Sequence, residues 1–229
     1  MSSSATSALI NFSTCEISDA LIKLGVLHGG HIPDIHNVSL SGNGTRICGP
    51  AYTVKMVLTS NTEAPKLSVH FVDTAPLGCI LVIDAPPEAK NAVWGGLMTA
   101  GAQARSAAGV IISGRCRDLA EHRLLQFPVY ARGHSTLGQA PFTRPSEINI
   151  PLVIHPWDVR GQEQDAMPPV RVVPGDWMVA DEDGVVCVPR GLEARVSELA
   201  AKGRATDEIC MFDIKAGKGV QATFRLHRA

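Results

Sequence analysis

What this chain lacks narrows its function first. Its six cysteines (Cys15, Cys48, Cys79, Cys116, Cys187 and Cys210) form no CxxC pair, which removes support for a zinc site of that kind. Most of them sit in apolar runs, such as Cys79-Ile80-Leu81-Val82-Ile83, and read as small buried hydrophobes. No stretch approaches the roughly 18 apolar residues a membrane span needs. No charged start followed by an apolar core and a cleavage site opens the chain, so a reducing, cytoplasmic setting is expected. Neither sign of charge dominates. Lys and Arg number 21 against 22 Asp and Glu, a net charge of -1, and the basic residues are scattered. No field is available to gather nucleic acid or anionic lipid, so neither is expected as a partner. There is no internal repeat, no linker rich in Gly, Ser and Pro, and no glycine-rich nucleotide loop after the first strand.

What remains is ordinary globular material. The chain has 229 residues, 45% hydrophobic and 19% charged, enough to bury a sizeable core. Residues 1–12 are rich in Ser and Ala and are expected to be flexible, leaving 13–229 as a single domain. A helix is expected from Ser13 or Thr14, with Glu16 near the third helical position as a cap and Gly25 and Gly29-Gly30 ending it. Arg46 to Leu58 reads as a strand, with Pro50 pointing to an edge or a strand start. Lys66 to Asp73 reads as a short helix. Gly78–Asp84 is a strand, Gly96–Ala108 a helix, and Val110–Ile112 a strand. Asp118–Gln126 is a helix and Pro128–Ala131 a strand. That alternation predicts an α/β fold with a parallel core and flanking helices. Short antiparallel strands are expected over 141–190, with a hairpin turn at Asp181-Glu182-Asp183-Gly184. A helical region broken near Gly203 closes the chain.

The chemistry concentrates in two segments. Gly95-Gly96-Leu97-Met98 places a glycine pair at a loop-to-helix junction. Free amides and the helix dipole favour an anion there, although a tight turn without a ligand has the same signature. Gly114-Arg115-Cys116-Arg117-Asp118 follows a buried strand and opens a helix, at the end of a sheet where α/β proteins place ligands. Asp118 has a bland explanation as a helix cap. Arg117 has none, because the dipole disfavours a cation at a helix start. A ligand carboxylate explains it, held bidentately, while Asp118 suits a hard divalent metal through oxygen. Glu121 lies one turn after Asp118 on the same face and could orient metal-bound water, or be a solvated charge. His122 is expected to face solvent. His70, within an apolar pattern, reads as a satisfied core histidine. His28, His31 and His36 fit no helix face and no three-histidine metal site. Cys116, between two arginines, could carry a lowered thiol pKa or simply be packed.

These segments resemble the RraA-like family. Ile17-Ser18-Asp19-Ala20-Leu21, Gly49-Pro50-Ala51-Tyr52-Thr53-Val54, the two segments above, and Pro174-Gly175-Asp176 with Asp181-Glu182-Asp183-Gly184-Val185-Val186 follow in family order. The Gly-Gly-Leu-Met loop resembles fungal-type members most. The family includes metal-dependent (class II) 4-hydroxy-4-methyl-2-oxoglutarate aldolases, which also decarboxylate oxaloacetate, and bacterial regulators that bind a ribonuclease. The resemblance implies a swivelling β/β/α fold with mixed sheets. It also implies a homotrimer or dimer of trimers with interface active sites, and a Mg²⁺ or Mn²⁺ cofactor. By position it makes Gly95 to Met98 the substrate loop, with the Leu97 and Met98 amides on a keto-acid carboxylate. Arg117 becomes the keto-acid ligand and Asp118 the metal ligand. Aldolase members carry an acid at the position of Gly96, with twenty residues between it and Arg117, and many carry Asp where Ser113 stands. A neighbour's C-terminal acid approaches the site in the aldolases; Asp207 and Glu208 are the candidates here. With Gly96 in place of an acid, decarboxylation is favoured over aldol cleavage. Two alternatives stay open: a non-catalytic regulatory protein on the same fold, and a lyase for a specialised pathway intermediate.

Overall fold

The computed structural model describes residues 7–39, 46–156 and 167–228. A 3₁₀ turn, Ala8–Asn11, leads into α1 (Thr14–Lys23). Then come β1 (His36–Asn37), β2 (Ile47–Leu58), β3 (Ile80–Asp84), α2 (Gly96–Ala104), β4 (Gly109–Cys116), α3 (Leu119–Leu124) and β5 (Val129–His134). The second half holds β6 (Thr143–Ile148), β7 (Leu152–Ile154), β8 (Val170–Val172), β9 (Trp177–Asp181), β10 (Gly184–Val188), α4 (Glu193–Lys215) and α5 (Val220–His227).

Four parallel strands, β2 to β5, form the centre of a mixed sheet ordered β1-β5-β4-β3-β2-β9-β10. The central pair, β3 (Ile80-Leu81-Val82-Ile83) and β4 (Val110-Ile111-Ile112), carries the continuous Val/Ile/Leu runs that a sheet buried on both faces requires. Register sorts the side chains into two layers. Val54, Ile83, Ile112 and Ala131 align and pack with Phe71, Trp94, Ala102 of α2 and Phe127. Val82, Ile111 and Tyr130 align on the other face, against Leu152, Ile154, Val170 and Val172 of the β7-β8 ribbon. Burying each such side chain contributes roughly 1.5–3 kcal/mol. A third cluster seats α1 and α4 on β9-β10 through Ile17, Leu21, Val179, Val186 and Val196. The result is an α/β fold with a mixed sheet and flanking helices, as expected.

The α1 start matches its sequence signature: Ser13 and Glu16 form a reciprocal capping box. Asp181-Glu182-Asp183-Gly184 is the β9–β10 hairpin turn, with Asp181 opposite Gly184. Four expectations need correction. The flexible segment does not extend to residue 12: Leu9 is fully buried in the α1–α4 cluster and Ser7 caps the turn, while residues 1–6 lie outside the described residues. Pro50 lies within a strand paired on both sides. It is tolerated because pairing with β9 ends at Pro50 and pairing with β3 begins at Ala51. Lys66 to Asp73 forms no helix. Val69 is exposed and the segment runs as a bend into a turn at 71–74, fixed by Thr74 Oγ1 donating to the Phe71 carbonyl. Finally, α4 runs unbroken through Gly203. Buried Ala200 precedes the glycine, and Arg204 after it binds Glu16 and the Asn11 carbonyl, which outweighs about 1 kcal/mol of glycine propensity cost.

Candidate active site

The end of β4 builds the site. Val93 donates its amide to the Arg115 carbonyl at 2.9 Å, and Arg117 donates to the Trp94 carbonyl at 2.9 Å. The segment entering α2 is thereby laid alongside the strand end, and Gly95-Gly96 comes to rest beside Arg117-Asp118. The bland capping explanation for Asp118 fails. Its backbone is left-handed (φ 62), a region Asp tolerates better than most residues, and its side chain makes no cap hydrogen bond to α3. Oδ2 instead accepts the Gly96 amide, at the start of α2, at 3.0 Å, and lies 3.4 Å from Arg117 Nε. Oδ1 has no hydrogen-bond partner among the described residues. The Arg117 and Asp118 side chains are 45% and 33% exposed, so their ion pair contributes at most about 1 kcal/mol and leaves both available to a ligand.

The two glycines are there for approach rather than for backbone freedom. A Cβ at Gly95 would stand 2.6 Å from Asp118 Oδ2. A Cβ at Gly96 would stand 1.5 Å from Glu121 Oε2. The space a side chain at 96 would take is filled by a carboxylate from α3. Glu121 and Asp118 are thus both drawn to the α2 N-terminus, where the helix dipole favours negative charge. Gly138 has a similar part: a Cβ there would sit 2.8 Å from Arg117 Nη1, so the guanidinium lies over this loop.

A cleft of about 260 Å³ opens at the pair, lined by His70, Trp94, Gly95, Leu97, Met98, Arg117, Asp118 and Gln139 among others. Gly96 and Glu121 are not among the lining residues. The loop amides are unequal. Gly96 N–H is committed to Asp118 and Met98 N–H closes onto the Gly95 carbonyl at 3.0 Å, while Leu97 N–H has no partner among the described residues. Asp207 pairs with Arg228, joining α4 to α5, and lines a separate cleft with Glu16 and His227. Ser113 is buried and hydrogen-bonds Asp84, whose pKa is raised chiefly by burial.

Two side chains differ from expectation, and a third, Cys116, resolves an alternative left open by the sequence. His122 does not face solvent but is fully buried. Its Nδ1 bonds Thr99 Oγ1 at 2.9 Å, and that hydroxyl accepts from Trp94 Nε1 at 2.8 Å, a chain tying α3 to α2 beneath the glycine loop. Burial pushes its pKa down. No sequence signal marked this, because the apolar neighbour Leu124 is the exposed one. His70 is not a core histidine. It is exposed, lines the cleft and stacks on Phe71 with ring centroids 4.7 Å apart. Cys116 is buried with its thiol pushed up to about 11 by desolvation, so the flanking arginines do not activate it.

Among the described residues no group of three or more His, Cys, Asp or Glu side chains could hold a metal, and no helix is long and apolar enough to cross a membrane. The donor set fits a different kind of metal site. Mg²⁺ takes one or two carboxylates and keeps several waters, and Asp118 Oδ1 is uncommitted and accessible.

Residues 14–187 match the family model described as RraA-like, Aldolase/RraA. The chain is 31% identical to a protein of Halalkalibacterium halodurans named "Putative 4-hydroxy-4-methyl-2-oxoglutarate aldolase", across 86% of this chain and 81% of that one. Among solved structures, an uncharacterized protein from Pseudomonas syringae pv. tomato superposes with a TM-score of 0.76 at 28% identity, covering 94% of each chain. Streptomyces coelicolor RraAS2, described as an unusual member of the RNase ES inhibitor RraA protein family, superposes at 0.71 with 21% identity. It covers 88% of this chain and 92% of its own, and shows the shared fold.

Proposed function

The chain belongs to the RraA-like family, and from that premise we propose that it is a divalent-metal-dependent lyase cleaving a C–C bond of a 2-keto diacid. Oxaloacetate decarboxylation is the favoured reaction, with retro-aldol cleavage of 4-hydroxy-4-methyl-2-oxoglutarate as the related one. The observation that carries the reading is the Arg117–Asp118 pair, on one cleft with an unengaged Leu97 amide and an uncommitted Asp118 oxygen.

In this reading the Leu97 amide, at the start of α2, takes the substrate 1-carboxylate, with Gly95 and Met98 shaping the loop around it. Arg117 donates to the 2-keto oxygen. The C3–C4 bond breaks, its electron pair moves into a C2–C3 double bond, and negative charge collects on the C2 oxygen facing the guanidinium. Carbon dioxide leaves in decarboxylation, and a second keto acid leaves in the aldol case. A proton then returns to C3 and releases pyruvate. Asp118 would hold the Mg²⁺ or Mn²⁺ ion, which when bound supplies Lewis-acid polarisation of the keto oxygen. Glu121, in the space left open by Gly96, orients a water for the protonation step. Decarboxylation asks less of such an acid than aldol cleavage does, because carbon dioxide leaves without a hydroxyl proton to remove. The same reading carries a homotrimer or dimer of trimers with sites at subunit interfaces, to be checked by light scattering. The activity test is pyruvate release from oxaloacetate with Mg²⁺, against EDTA and Asp118→Asn controls. Release that ignores both controls refutes the metal assignment.

A further inference from the structure

A diacid substrate has two charged ends, and in the reading above the Leu97 amide takes one while Arg117 takes the keto oxygen, which leaves the second carboxylate unaccounted for. The cleft of about 260 Å³ is smaller than those that take drug-sized ligands and suits a small acid. His70 lines that cleft from the loop that precedes β3. It is held there twice. Its ring stacks on Phe71, which is itself buried and packs against Trp94 with centroids 6.3 Å apart. Its Nδ1 accepts the Val72 amide at 3.3 Å. A ring whose Nδ1 accepts a backbone N–H carries its proton on Nε2 when neutral. His70 Nε2 has no partner among the described residues, so a ring that lines the cleft keeps an unengaged donor. Gln139 lines the same cleft with a side-chain amide that is also without a partner among the described residues.

We propose that His70 is a specificity-determining residue that binds the distal carboxylate of a dicarboxylic 2-keto acid, with Gln139 beside it. The inference rests on the lyase reading for the placement of the 1-carboxylate on the Leu97 amide and of the 2-keto oxygen on Arg117. It predicts discrimination between diacids and monoacids with the same keto end. A hydrogen bond to a charged group sets the size of the effect at about ten-fold in affinity.

The test is calorimetric binding of 2-oxoglutarate and of pyruvate, in the presence of Mg²⁺, to the wild-type chain, His70→Ala and His70→Gln. 2-Oxoglutarate keeps both carboxylates but cannot decarboxylate as a β-keto acid. The wild type should bind it more tightly than pyruvate. His70→Ala should lose about ten-fold for 2-oxoglutarate and less than about two-fold for pyruvate, and His70→Gln, which restores an N–H donor, should recover most of the loss. Pyruvate binding reports an intact fold in each variant, and His70→Gln carries the test if His70→Ala fails to fold. Equal weakening of both acids, or no change in either, overturns the assignment, and a wild type that binds neither acid overturns it together with the lyase reading. If discrimination is present but oxaloacetate is not turned over, the subsite stands and the lyase reading fails.

Discussion

Replacing Gly96 by Ala isolates the relation between the glycine loop and Glu121. The added Cβ would lie 1.5 Å from Glu121 Oε2, 2.5 Å from Cδ and 3.0 Å from Cβ. Carboxylate and methyl group cannot both occupy that space. The obstacle is the far end of an exposed side chain, so Glu121 rotates outward and the backbone needs to yield only a few tenths of an ångström. A helical Gly→Ala change also returns up to about 1 kcal/mol of propensity. Stability should therefore change by less than about 1 kcal/mol, a Tm shift of at most about 4 °C for a chain of this size. Function should change more. A positioned acid or base contributes up to roughly 10²–10⁴-fold, and one acting through water stands at the low end, so oxaloacetate turnover should fall about ten- to hundred-fold. Pyruvate production coupled to NADH oxidation measures it. The decisive comparison is a double-mutant cycle. If Gly96→Ala acts only by displacing Glu121, then Glu121→Ala and the double variant should show the same loss. Full turnover in Gly96→Ala while Glu121→Ala is impaired, or losses that multiply, would refute the reasoning.

Other outcomes follow from the same geometry. Burial lowers the His122 pKa in the folded state, so between the ordinary value of about 6.5 and that lower value the unfolded chain binds the extra proton. Stability measured by urea unfolding should then fall as pH drops below about 6.5, with a shallower fall in His122→Gln. Glu16 is held down to about 2, first by its hydrogen bond from Arg204, so its contribution is present above the ordinary carboxylate range and is lost as pH falls from about 4.5 towards 2. Arg204→Ala should flatten that acid limb in a circular-dichroism titration. Gly203→Ala, with open space around the position in an unbroken helix, should raise Tm by about 2–4 °C in calorimetry.

Local patterns carried much of the fold. The Ser13–Glu16 box, the apolar runs of β3 and β4 and the Asp181–Gly184 turn each depend on residues near one another in sequence, and each reads correctly from it. The failures share a different cause. Val69 and Val72 fit a helical spacing at Lys66–Asp73, yet no helix forms there because the chain turns to tuck Phe71 under Trp94. His122 is buried and His70 exposed because of how α2, α3 and the loop before β3 meet, and no short window contains those contacts. Arg117 and Asp118 stand out as candidates in the sequence because a cation at a helix start contradicts the dipole. The meaning of Gly96 does not, since it depends on a carboxylate that arrives from another helix.

The central claim is that Asp118 makes this cleft metal-dependent. Asp118→Asn suits the test, because Asn tolerates the left-handed backbone and still accepts the Gly96 amide while removing the charge. Pyruvate formation from oxaloacetate should require Mg²⁺ or Mn²⁺, stop with EDTA and resume when metal is restored. In Asp118→Asn it should fall by at least about 100-fold, in line with other losses of transition-state charge stabilisation. Wild-type turnover that persists in EDTA, or an Asp118→Asn variant that retains it, would contradict the account.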